Sequence, residues 1–100
     1  MVKNLLAAVV SRRYWCAMMD VYIKPGCPWC VQVEAYLQKE GFEYKAIDVI
    51  ADDAAFEKMR ELFGQTSAPS MTVGDLKLAD FGVEELVPFL EEHGIVAGGE

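Results

Sequence analysis

Residues 21–41 read VYIKPGCPWCVQVEAYLQKEG, and the order of signals in this stretch decides the fold. Val21–Lys24 has the length and composition of a short buried strand. Pro25-Gly26 cuts it off. A helix then begins at Cys27, because Pro28 suits the first helical position, where its missing N–H costs nothing. Val33, Tyr36 and Leu37 recur at helical spacing, and Gly41 ends the helix as a C-cap glycine.

Downstream, Tyr44–Val49 alternates and branches like a strand. Asp52 or Asp53 caps a second helix that carries Phe56, Met59, Leu62 and Phe63 on one face, with Gly64 behind it. Gln65–Pro69 is a turn of small polar residues. Ser70–Val73 and Leu76–Leu78 flank Gly74-Asp75 and form a hairpin. Gly82 opens a last helix, Val83–His93, with Leu86, Phe89 and Leu90 inward. Pro88 is expected to shorten or kink it. The order βαβαββα predicts an α/β sandwich on one four-stranded sheet.

The whole chain is consistent with one small domain. It has 100 residues, 53% hydrophobic and 25% charged, enough for a packed core and too apolar for disorder. No apolar run is long enough for a membrane helix. A net charge of −7 argues against a nucleic-acid partner, which wants a basic face. All 16 acids lie beyond residue 19, whereas residues 1–19 carry Lys3, Arg12 and Arg13. That shift divides the chain into an extension (1–19), a domain (20–94) and a tail (95–100). The extension lacks a complete targeting signal and reads as an extra helix or an upstream start. The cytoplasm is the expected location, with an organelle reached through residues 1–19 as the alternative.

Three cysteines are too few for a disulfide scaffold and suit a reducing compartment. Cys27 and Cys30 are spaced to share one helical face, close enough to bridge. Cys27 falls at the helix start, where unpaired N–H groups and the helix dipole favour a negative charge. Its pKa is therefore expected below the free value of ~8.5, with Lys24 adding to the effect. The thiolate is the species that attacks a disulfide. Cys27 is then the attacking sulfur and Cys30 the resolving one. A zinc site wants four ligands, and here only His93 and Cys16 could join the pair. A structural bridge over two residues closes too small a loop to restrain the chain much. Cys16 reads as a bystander, His93 as a charge at a helix end, and Glu84, Glu85, Glu91 and Glu92 mostly as a solvated face.

The stretch Tyr22–Cys30 resembles the active-site strand and loop of the glutaredoxin family, which has a Lys-Pro-x-Cys-Pro-Tyr-Cys pattern. Thr66-Ser67-Ala68-Pro69 resembles that family's Thr-Val-Pro loop. Asp80–Leu86 resembles its Gly-Gly-x-Asp-Asp-Leu turn into the last helix. The resemblance covers about residues 20–94. It implies a thioredoxin-like fold with a four-stranded mixed sheet flanked by helices. It implies a glutathione-dependent thiol-disulfide oxidoreductase, with Cys27 as nucleophile, Cys30 as resolving thiol and Pro69 as a cis-proline facing them. Glutathione would be bound by Lys24, Trp29, Ala68, Pro69, Gly82, Val83 and Glu84. Ser67-Ala68, Phe81 and Glu84 depart from the family pattern. Glutathione is the implied reductant, with no bound cofactor or metal. Glutathionylated and disulfide-bonded proteins are the implied partners, served by a monomer. Two alternatives are a dimer around a [2Fe–2S] cluster with two glutathiones, and a donor served by thioredoxin reductase.

Overall fold

The structure, a computed structural model, describes residues 18–97. The chain runs β1 (Met19–Ile23), α1 (Pro28–Lys39), β2 (Tyr44–Asp48), α2 (Asp53–Phe63), β3 (Ser70–Val73), β4 (Leu76–Leu78) and α3 (Val83–Glu92). The strands form one sheet in the order β2-β1-β3-β4. β1 is parallel to β2 and antiparallel to β3, and β4 is antiparallel to β3. The sheet is therefore mixed, with β1 and β3 at its centre.

Strand alternation divides the core between the two faces. Met19 and Val21 of β1 and Met71 and Val73 of β3 point to one face. They pack beneath Val33 and Leu37 of α1 and Leu86 and Leu90 of α3. Tyr22 points to the other face, against Met59 of α2 and Val49. The Phe63 ring meets Tyr22 edge-on at 5.8 Å. Each fully buried side chain of this size contributes about 1.5–3 kcal/mol.

The helix ends follow the residues that mark them. Cys27 is the N-cap of α1, with Pro28 directly after it. Asp52 caps α2 by accepting from the Ala54 and Ala55 N–H groups. Gly64 ends α2 in the left-handed region, and Lys77 Nζ donates to the Leu62 carbonyl 2.9 Å away.

Two expectations need correction. β1 begins at Met19 rather than Val21, because Met19 is fully buried and pairs with Tyr44 and Val73. Pro88 does not shorten α3, which continues past it to Glu92. The carbonyl that Pro88 leaves without a helical donor belongs to exposed Glu84, where water can serve it. Cys16 and most of the 1–19 extension lie outside the described residues.

The topology also gathers the ends that matter. In the β1–β3 register Tyr22 pairs with Ser70, so the start of β3 lies beside the end of β1. The Pro69 carbonyl then accepts from the Phe81 N–H at 3.1 Å and brings the start of α3 to the same place.

Candidate active site

Cys27 leaves β1's following turn with an extended backbone (φ −76°, ψ 118°) and caps α1 with its sulfur. Sγ accepts from the Cys30 N–H at 3.3 Å. The Cys27 N–H donates to the Lys24 carbonyl at 3.2 Å and so fixes the turn. Cys27 is half-buried, whereas Cys30, one turn further in, is 2% exposed. Burial pushes the Cys30 thiol up to about 11. The hydrogen bond with the Cys27 sulfur and the charges of Cys27 and Glu34 add to this, and a backbone hydrogen bond at Lys24 opposes it.

The peptide between Ala68 and Pro69 is cis. It presents the Ala68 carbonyl to the dithiol, 3.8 Å from Cys27 Sγ. Pro69 is buried behind it. Lys24 is partly exposed, and its ammonium forms no ion pair among the described residues.

Beside the dithiol lies an open groove of about 280 Å³. Trp29 and Gln32 of α1 form one wall, and residues 80–85 form the other. The Trp29 ring is 59% exposed and crosses Gly82. A Cβ at position 82 would stand 3.3 Å from Trp29 Cε3 and 3.6 Å from Cζ3. With φ at −122°, Gly82 leaves a tight space for the Trp29 ring and adopts no unusual backbone conformation. The first turn of α3 leaves the Val83 and Glu84 N–H groups outside the helical ladder. Asp80, Glu84 and Glu85 are among the residues that line it, and no basic residue is.

Of the residues expected from the sequence, Cys27, Cys30, Ala68 and Pro69 meet at the dithiol. Trp29, Gly82, Val83 and Glu84 meet along the groove. Glu85 was expected to be mostly part of a solvated face, but its Oε1 accepts from the Gly82 N–H at 2.8 Å. The signal was available, since a glutamate at the third helical position reaches back to the cap. Gln32 gave no signal, because the groove depends on where α3 docks. Among the described residues, no group of three or more His, Cys, Asp or Glu is placed to hold a metal. No helix among them is long and apolar enough to cross a membrane.

Comparison with known proteins agrees with this fold. A family model described as Glutaredoxin matches residues 20–76. The chain is similar to a glutaredoxin-like 8.6 kDa protein, itself uncharacterized, from the rubredoxin operon of Clostridium pasteurianum. The two are 27% identical over 75 residues, which cover 75% of this chain and 100% of that protein. It is similar to the glutaredoxin of Neisseria meningitidis, with 34% identity over 80 residues, 77% of this chain and 89% of that one. Among solved structures, a thioredoxin-like protein matches with a TM-score of 0.65 at 30% identity, covering 72% of this chain and 99% of the other.

Proposed function

The chain belongs to the glutaredoxin family of thiol oxidoreductases, and we propose that it is a dithiol member that draws its electrons from glutathione. Its substrates are protein–glutathione mixed disulfides and protein disulfides. The observation that carries this reading is the placement of Cys27 Sγ. It caps a helix, receives the Cys30 N–H and faces the Ala68 carbonyl, two residues before Trp29, which lines the groove.

The Cys27 thiolate attacks the glutathione sulfur of a mixed disulfide. A Cys27–glutathione disulfide forms and the protein thiol leaves. A second glutathione attacks that bond, which regenerates Cys27 and releases oxidised glutathione. On a protein disulfide, Cys27 forms the mixed disulfide with one substrate sulfur. Cys30 then gives up its proton, attacks Cys27 Sγ and expels the substrate. Two glutathiones reduce the Cys27–Cys30 disulfide. Glutathione supplies the electrons, so the cycle needs no resident cofactor, and a monomer in the cytoplasm suffices.

The bound glutathione lies along the groove. The Ala68 N–H and C=O pair with its cysteinyl part as an added strand would. The Val83 and Glu84 N–H groups hold the γ-glutamyl carboxylate at the start of α3. Lys24 pairs with the glycyl carboxylate. Trp29 walls the groove, with Gly82 leaving room for its ring and Pro69 backing the Ala68 peptide.

One observation favours a second reading. Asp80, Glu84 and Glu85 give the groove an acidic lining that disfavours the two carboxylates of glutathione, a tripeptide of net charge −1. A donor reduced directly by thioredoxin reductase would tolerate that lining. NADPH oxidation separates the two readings. The proposal predicts turnover with glutathione and glutathione reductase, and none with thioredoxin reductase alone. The opposite pattern rejects it.

A further inference from the structure

We propose that Ser70 is a positioning residue of the dithiol site, whose hydroxyl ties the loop carrying Ala68 to the segment that leads into α3. These are two of the surfaces between which a substrate strand must lie. The inference rests on the reading that substrate pairs with the Ala68 backbone.

Ser70 is 0% exposed and is the buried polar residue among those described. A hydroxyl in that position is costly unless it is hydrogen-bonded, and packing alone would be served as well by alanine. Ser70 uses its whole capacity of one donor and two acceptor sites. Its Oγ donates to the Ser67 carbonyl at 2.8 Å. It accepts from the Asp80 N–H at 3.1 Å and from Gln65 Nε2 at 3.3 Å. Gln65 Oε1 in turn accepts from the Ser67 N–H, so the loop is closed on itself.

One oxygen therefore references two separate segments. The first holds the Ala68 carbonyl 3.8 Å from Cys27 Sγ. The second holds Gly82 under the Trp29 ring. The Phe81 N–H bond to the Pro69 carbonyl runs beside these ties but leaves Ser67 and Asp80 unanchored. None of the three Ser70 bonds touches either cysteine, and the Cys30 N–H that Cys27 Sγ accepts belongs to α1. Losing the Ser70 bonds should misplace the substrate far more than it alters the thiol's own reactivity.

The test needs no glutathione. The pre-reduced protein is mixed with a peptide disulfide, and the second-order rate constant is read in a single turnover. Cys27 alkylation by iodoacetamide is read in parallel, at a temperature where circular dichroism shows each variant folded. Ser70→Ala should slow the peptide reaction about tenfold, as expected for a misplacement below an ångström, while alkylation changes by less than about twofold. Ser70→Thr, which keeps the hydroxyl, should restore most of the rate. A folded Ser70→Ala with the wild-type peptide rate overturns the proposal. So does a peptide rate that falls in step with alkylation. If Ser70→Ala does not fold, Gln65→Ala decides. It removes one Ser70 partner together with the Ser67 N–H tie and should slow the peptide reaction alone, and an unchanged rate rejects the idea. Because glutathione is absent, a wild type that proves unable to use glutathione leaves this comparison readable.

Discussion

Cys27 and Cys30 share a helical turn but not an environment. Cys27 is half-buried under a backbone donor, and Cys30 is buried with its thiol pushed up to about 11, first by burial. At pH 7 such a group is ionised in only about one molecule in ten thousand. In the proposed cycle Cys30 waits as a thiol and is called on only when Cys27 carries a partner. In a Cys27→Ser protein, alkylation of Cys30 should stay slow to pH 9 and climb above it, and a plateau reached by pH 9 would contradict this. The same shift links to stability. The folded thiol holds its proton more tightly than the ordinary 9.0, so the unfolded chain deprotonates first as pH rises. The contribution is complete below pH 9 and is lost as pH climbs through about 11. Under reducing conditions, the melting temperature of the wild type should fall relative to Cys30→Ser between pH 8 and pH 11.

At the scale of elements, the start of α2 hangs on a single side chain. Asp52 accepts from two orphan N–H groups at 3.0 and 3.2 Å. Asp52→Ala should cost about 1 kcal/mol and lower the melting midpoint by about 5 °C, with peptide reduction untouched. The start of α3 depends on space instead. The Cβ added by Gly82→Ala would stand 3.3 Å from Trp29 Cε3, so the ring must give by a few tenths of an ångström, which reshapes the groove. The Michaelis constant for a glutathionylated peptide should rise about fivefold, near 1 kcal/mol of binding, with little change in kcat. An unchanged Michaelis constant would mean that the ring gives way freely.

The same elements show what could be read from the sequence. Pro28, Gly41, Gly64 and Gly74-Asp75 carry their meaning locally, and the segments they bound were legible from spacing alone. The dithiol was legible because its residue types are chemically distinctive, and Pro69 through the resemblance of Thr66-Ser67-Ala68-Pro69 to the family's loop. The start of β1 was not, because Met19 is held by Tyr44 and Val73, far along the chain. Ser70 gave no signal for the same reason, since one of its partners lies ten residues on, at Asp80. Pro88 misled because a helix interior disfavours proline in general, whereas this one stands on a wet face.

For the molecule as a whole, the topology sets a local field against the global charge. The chain carries −7, yet the N-termini of α1 and α3 converge at one end of the sheet, joined by the Trp29–Gly82 contact. Their partial positive charges favour an anion at that end of the sheet. The acidic residues Asp80, Glu84 and Glu85 along the groove work against it. The account holds that glutathione transfer succeeds through Cys27 alone. The most direct test is glutathione-coupled turnover of a glutathionylated peptide by the wild type, Cys30→Ser and Cys27→Ser. The account predicts turnover by the first two and none by Cys27→Ser. Activity that survives in Cys27→Ser, or a wild type that is inert with glutathione, would contradict it.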